Sequence, residues 1–323
     1  MDNKKLQKGY TTGVHTSFAF RSALDIWSKT NTTTITKTVK NQNDDLDVTK
    51  GCTIVVTISN SKNSLELNNI KHNPYKIVSK NSILYIYAGV GVGVVTKDGL
   101  KPPKNHPAIN PVPLKAISDI FLQKDIQNKT IYCSVSIENG ENIAKNTANS
   151  KVGVLQGLSI LGTKGYVKPI SATAYINSIA QELNFAKVNG FTTIIFTLGN
   201  NALKNVQNRQ NDPKIYIIEI GNFIYDGIKL AVDIGFIDIE LHLGIAKAIK
   251  IAQGFKNTHN RFGSIDFSLV QKMVDIDIKD CLTIKRVKEL LGNNSEQFDK
   301  MGKMMTQKQL KAWFNQDIKV YIW

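Results

Sequence analysis

Three strand-like apolar runs, residues 191–197, 215–220 and 236–241, alternate with helical patterns, and this βαβ repetition constrains the fold more than any other feature of the chain. The helix after the second run repeats Ile224, Ile228, Ala231 and Ile234 on one face and stops at Gly235. The helix after the third repeats Ile245, Ala248, Ile249 and Ala252 and stops at Gly254. Strands alternating with helices of this length imply a parallel sheet with right-handed crossovers, covered on both faces. In such a sheet ligands sit at the carboxyl ends of the strands. Those ends are here Leu198, Gly199, Asn200 and Asn201; Gly221 and Asn222; and the stretch around His242 and Gly244.

Upstream, residues 157–171 pass from an apolar stretch through a Gly-rich turn into another helix, with Ser171 as a good N-cap. Ile176, Ile179, Ala180 and Leu183 recur on one face of that helix until Gly190 stops it. A Gly-rich loop aimed at a helix start offers backbone N–H groups to an anionic or dipolar ligand, and Gly162 and Gly165 let such a ligand approach beside Lys164 and Lys168. The same spacing equally describes a plain tight connection. As a binding loop it is expected to share one rim with the strand ends above.

At 323 residues and 42% hydrophobic composition the chain is long enough for two soluble domains with cores of their own. No apolar stretch is long enough for a signal peptide or a membrane span, so the expectation is a cytoplasmic protein with no membrane partner. Three widely separated cysteines, Cys52, Cys133 and Cys281, fit neither a disulfide framework nor a CxxC metal site, and no two of the five histidines have zinc-ligand spacing; no protein-bound metal is expected. The net charge of +15 invites a nucleic-acid reading, yet only four of the 41 basic residues are arginine and no interleaved aromatic stripe accompanies them. A small polyanionic substrate, concentrated by a positive field, fits the charge better than nucleic acid does.

In the first half, residues 83–87 read as a strand running into Gly89, Gly91 and Gly93 alternating with Val90, Val92 and Val94. The segment from Thr96 to Pro103 cannot continue as the helix a nucleotide fingerprint requires. Kept extended, the run has one valine face for a core and one bare glycine face, where another backbone or a large flat ligand lies close. Lys97, Lys101, Lys104 and His106 follow, either as contacts for acidic groups or as a solvated basic loop. Near the start, Thr11 or Thr12 can cap a helix whose apolar face includes Phe20, Leu24 and Trp27; an exposed threonine pair there can also hold a carboxylate. Asp44, Asp45 and Asp47 form a polar turn or a contact to a cationic group ahead of a strand at 52–58.

From Gly9 to about Arg261 these motifs together resemble the cobalt-precorrin-5B C(1)-methyltransferase family of anaerobic cobalamin biosynthesis. The resemblance rests on Gly9-Tyr10-Thr11-Thr12-Gly13; Asp44-Asp45 with Asp47-Val48-Thr49; Gly91-Val92-Gly93 with Val95-Thr96-Lys97 and Gly99-Leu100; Pro107-Ala108-Ile109-Asn110-Pro111-Val112-Pro113; and Asn257-Thr258-His259. Its most specific part is Gly157, Ser159-Ile160-Leu161-Gly162-Thr163, Gly165, Val167, Pro169 and Ser171. The family typically carries Gly-His-x-Gly-Lys after the last strand; this chain has Leu243-Gly244-Ile245-Ala246-Lys247, with His242 two positions early, either as a substitute after a loop shift or as a plain strand-end residue.

The resemblance implies an α/β protein in two domains: residues 1–150 as an α+β domain contacting the macrocycle, and residues 151–323 as a parallel-sheet, Rossmann-like domain binding the methyl donor. It implies transfer of a methyl group from S-adenosylmethionine to ring carbon 1 of a cobalt-bearing tetrapyrrole, the cobalt arriving within the substrate. The donor residues it points to are Gly157, Ser159, Gly162, Thr163, Gly165, Gly199, Asn200, Gly221 and Asn222. The substrate residues are Thr11, Thr12, Gly91, Gly93, Thr96, Lys97, Lys101 and Asn110. His242, His259 and Thr12 are the candidate catalytic side chains. Holding two reactants in line can lower the barrier by roughly 7–11 kcal/mol, against about 3–5 kcal/mol for a general base, so positioning is expected to outweigh any single base. The alternative is a non-catalytic tetrapyrrole-binding or scaffold protein that kept the fold. Homodimerisation is left open.

Overall fold

Period-two alternation of buried and exposed residues builds the first half of the chain around a sheet, and buried parallel strands build the second. The computed structural model describes residues 9–41, 48–162, 166–167 and 172–323. Asp44, Asp45, Asp47, Thr163, Lys164, Gly165, Lys168 and the Ser171 cap therefore lie outside the described residues. The chain has mixed α/β content and divides into two units, Met1–Ala172 and Thr173–Trp323.

The first unit comprises β1 (Gly9–Tyr10), α1 (Thr12–Thr30), β2 (Thr34–Val39), β3 (Thr53–Ser59), β4 (Tyr75–Val78), β5 (Ile83–Ala88), β6 (Gly91–Val92), β7 (Val94–Val95), α2 (Pro111–Leu122), β8 (Thr130–Ile137), α3 (Gly140–Ala144), β9 (Val154–Leu155), β10 (Gly157–Leu158) and β11 (Tyr166–Val167). Its main sheet has the order β2-β3-β8-β5-β4, antiparallel except for the β5–β8 pair. Phe20, Leu24 and Trp27 of α1 pack on Ile54, Val56 and Ile58 of β3, as the helical spacing leads one to expect. The division at 172 lies beyond the expected boundary near Ser150 because β9 pairs with β7, β10 with β6 and β11 with β1.

The second unit comprises α4 (Ala172–Val188), β12 (Thr193–Leu198), α5 (Asn200–Val206), β13 (Ile215–Glu219), α6 (Ile224–Ile234), β14 (Asp238–Leu243), α7 (Ile245–Ala252), α8 (Phe267–Gln271), α9 (Ile284–Leu291), α10 (Ser295–Phe314) and β15 (Lys319–Ile322). Its sheet is parallel throughout, in the order β13-β12-β14-β15. Two strands begin two residues later than the apolar runs do, because Phe191 and Phe236 belong to the preceding helix caps. Phe191 N–H donates to Ala186 O and Phe236 N–H to Ala231 O, both at 3.0 Å, each after a glycine of positive φ. This is the six-to-one bond of a Schellman motif, and Phe255 repeats it after Gly254 with Lys250 O.

The strand order reverses once. From β12 the chain moves to β13 on one side, and β14 then lies on the other side of β12. A crevice opens where neighbouring connections part in opposite directions, here beyond the carboxyl ends of β12 and β14. β15 was not legible from the apolar runs. It is held to β14 by a parallel ladder and backed by α10, whose Gly302 admits Ile245 of α7 and whose Thr306 hydroxyl donates to Ala248 O at 2.8 Å.

Candidate functional site

Beyond the ends of β12 and β14 lies an open cleft of about 510 Å³, bounded by Leu198, Gly199, Asn200, Asn201, Gly244, Lys247 and Trp323. Gly199 sits at φ +96°, a backbone setting that L side chains rarely adopt, and a Cβ there would meet nothing within 4 Å. Backbone is thus bare toward open space at the strand end.

Lys247 is the cation of this cleft. Its Nζ donates to Asn222 Oδ1 at 3.0 Å and to Thr258 O at 2.9 Å, which uses two of its three donors. No carboxylate pairs with it among the described residues, and burial together with the nearby Lys250 charge holds its pKa below the ordinary lysine value. Thr258, fully buried, also donates its hydroxyl to Asn222 Oδ1 at 3.0 Å. Lys250 behind it is satisfied by Thr258 O, Asn260 Oδ1 and Gly263 O at 3.3, 2.9 and 2.8 Å, a structural ammonium rather than an open one. Asn222 thus acts through Lys247 and Thr258, tying the β13 loop to α7. Gly221 lies under the ring of Tyr175, whose hydroxyl donates to Glu219 O at 2.9 Å.

His242 is the penultimate residue of β14, with its side chain held inside the unit. It is 2% exposed. Its Nε2 lies 2.9 Å from Glu240 Oε2 and its Nδ1 3.1 Å from the indole nitrogen of Trp323. An ionised carboxylate only accepts and an indole N–H only donates, so the ring carries its proton on Nε2 and is neutral. Burial lowers its pKa, in the same direction. Glu240 also receives Arg209 Nη1 at 2.7 Å and Nη2 at 3.2 Å; burial pushes its pKa up, but the Arg209 and His242 hydrogen bonds outweigh it and leave it below the ordinary glutamate value. Neither His242 nitrogen is open to a substrate. Thr197, the register neighbour of His242, has a buried hydroxyl with no hydrogen-bond partner among the described residues. His259 is exposed and its Nδ1 accepts from Arg261 N at 3.1 Å as a cap.

The residues expected to meet the macrocycle are spread through the first unit. Thr11 caps α1 by accepting from Val14 N at 3.3 Å. Thr12, far from exposed, is 4% accessible: its Oγ1 accepts from Leu161 N at 2.9 Å and donates to Leu161 O at 3.2 Å. The bare glycine face is covered by the unit's own backbone. A Cβ on Gly91, at φ +78°, would strike Ile137 O and Gly140, and one on Gly93 would lie 3.0 Å from Gly157 O. The segment bends there, which leaves Val90 46% exposed rather than in the core. Gly157 closes against Gly91 and Gly93, Gly162 against Thr11, and Ser159 Oγ lies 3.4 Å from Asn149 Oδ1. Thr96 donates its hydroxyl to Gly153 O at 2.8 Å, and the Lys97 stem lies along Gly153. Asn110 precedes α2 without a side-chain cap bond. Lys101 borders a groove of about 360 Å³ whose floor includes Ile77, Ile109 and Leu114 and whose rim includes Lys76 and Lys115.

Two comparisons bear on this arrangement. The family model CbiD matches residues 21–169. A cobalt-precorrin-5B C(1)-methyltransferase from Methanocaldococcus jannaschii is 32% identical over 263 residues, 81% of this chain and 67% of its own length. One of the same name from Methanococcus maripaludis is 31% identical over 302 residues, 88% of this chain and 78% of its own length. The chain belongs to the CbiD family. A crystal structure of the cobalamin biosynthesis protein CbiD from Archaeoglobus fulgidus covers 80% of this chain and 83% of its own at 19% identity, with a TM-score of 0.36, too loose a superposition to transfer geometry. Among the described residues of this family member no helix is long and apolar enough to cross a membrane, and no group of His, Cys, Asp and Glu is placed to hold a metal.

The cleft residues that the sequence reading reached are Leu198, Gly199, Asn200, Asn201 and Gly244. Arg209, Glu240, Trp323 and the role of Lys247 were missed. One signal was present: Asp238, Glu240 and His242 are the alternate polar residues of β14, on one face by period two.

Proposed function

We propose that this chain is the methyltransferase of its family, an enzyme that methylates carbon 1 of cobalt-precorrin-5B to give cobalt-precorrin-6A, with S-adenosylmethionine as donor. The observation that carries the donor assignment is the cleft at the strand-order reversal of the second unit: bare backbone at Gly199 and an acid-free ammonium at Lys247 on one rim. A zwitterionic amino-acid nucleoside fits these groups. Its carboxylate takes the remaining Lys247 donor, and its polar atoms approach the backbone where no side chain intervenes. When bound, the donor supplies the electrophilic methyl group. What the chain supplies is orientation: Asn222 and Thr258 fix the Lys247 ammonium, and Gly199 leaves the backbone bare beside it. We read the second unit as a Rossmann-like donor domain, and the first as the macrocycle-contacting domain, where the groove beside Lys101 joins an apolar floor to a lysine rim suited to a planar polycarboxylate. A cytoplasmic site of action follows from this reading.

The test is anaerobic incubation of the purified protein with the cobalt macrocycle and methyl-labelled donor. Label recovered in the macrocycle supports the reading. Macrocycle binding without label transfer replaces it with the scaffold alternative.

A further inference from the structure

Trp323 is 51% exposed, an unusual setting for the largest side chain, yet its ring is not loose. Its backbone N–H donates to Leu243 O at 3.1 Å, continuing the β15 ladder, and its indole N–H donates to His242 Nδ1 at 3.1 Å. His242 is in turn anchored by Glu240, and Glu240 by two bonds from Arg209. Tyr321 stacks on His242 with centroids 4.4 Å apart at 20°, and the Trp323 ring lies edge to edge with His242, nearly coplanar at 18° with centroids 6.0 Å apart. A hydrogen-bonded chain from the half-exposed Arg209 through buried Glu240 and His242 thus ends in the solvent-facing indole of Trp323, a residue that lines the cleft shared with Lys247. An ion pair relayed through a buried neutral imidazole is a costly way to hold a surface indole unless the plane's orientation matters.

We propose that the Trp323 indole is the platform on which the aromatic base of the nucleoside ligand stacks in this cleft, with the Arg209–Glu240–His242 chain as its positioning device. The inference deepens the donor reading above and rests on it for the ligand's identity. An indole fixed in advance offers stacking area with little rotamer entropy left to lose, while Lys247 takes the anionic end of the same ligand. Stacking alone tolerates any base. Asn200 and Asn201, which line the same cleft, carry the amide groups that read an adenine edge.

The experiment is calorimetric titration of the full chain with S-adenosylhomocysteine and, separately, adenosine, using the wild type, Trp323→Ala and Trp323→Phe. Thermal unfolding of each variant checks its fold. Base-on-aromatic stacking predicts about 5- to 100-fold weaker binding of both ligands to Trp323→Ala, with only part of the affinity restored in Trp323→Phe, which keeps a ring but loses the N–H that fixes it. Wild-type affinity for both ligands in a folded Trp323→Ala overturns the platform and leaves the donor reading standing. Trp323-dependent adenosine binding without S-adenosylhomocysteine binding keeps the platform and removes the donor reading. A wild type that binds neither overturns both.

Discussion

Glycine does opposite work in the two units. At Gly91 and Gly93 the absent side chain is filled by the unit's own backbone, so that β6, β10 and α3 approach at distances no Cβ allows. At Gly199 it is filled by nothing, and the strand end faces an open cleft. Both read alike in sequence as glycines that follow apolar strand-like runs. What separates them is whether a partner strand exists within the same unit, a long-range fact: Gly157 meets Gly91 across a wide sequence separation. A glycine in a strand reports close approach, and only the fold says of what.

The comparison breaks most sharply at Gly91. Gly91→Ala puts a Cβ into Ile137 O at a positive φ, and we expect a loss of about 3–5 kcal/mol, or failure to fold, in urea denaturation. Near-wild-type stability would mean the packing is looser than described. Glu240→Ala comes next, because it leaves the Arg209 guanidinium and the His242 ring without their shared carboxylate; about 3 kcal/mol of stability is expected to go, together with the fixed setting of Trp323. Lys247→Met removes the cleft's cation, with roughly tenfold weaker S-adenosylhomocysteine binding expected by calorimetry; unchanged affinity would place the carboxylate elsewhere. Gly199→Ala is the mild counterpart of Gly91→Ala: backbone strain of about 1–2 kcal/mol with no clash, and a larger effect on donor binding than on folding.

Acid sharpens the same contrast without mutation. His15, His72 and His242 all have pKa values lowered, in each case chiefly by burial. Each is neutral when folded and takes a proton more readily when unfolded, so stability present above pH 6.5 is lost as pH falls below it. Glu240 is held below 4.5 and keeps its contribution through that window. The urea midpoint should therefore drop between pH 7.5 and 5.5, and a flat profile would contradict the buried settings of these rings.

Much of the fold was legible. Helical spacing identified α1, α4, α6 and α7, and the apolar runs between helices identified three of the four parallel strands, because local periodicity directly reports which face is buried. Strand starts slipped by two residues where a cap consumed an apolar Phe, since a Schellman turn and a strand both want a hydrophobic residue there. The site was less legible. Gly199 and Asn200 were reached through topology, whereas Trp323 enters the cleft only because β15 pairs with β14, a contact no local pattern announces. Thr12 and Gly93, expected to meet the macrocycle, make contacts within their own unit, Thr12 with Leu161 and Gly93 against Gly157, which local spacing does not announce.

The placement of the donor is tested most directly by a crystal structure of the protein with S-adenosylhomocysteine. Ligand density bounded by Gly199, Gly244, Lys247 and Trp323, with the carboxylate on Lys247 Nζ, is the expected result. Density anywhere else on the chain would contradict it.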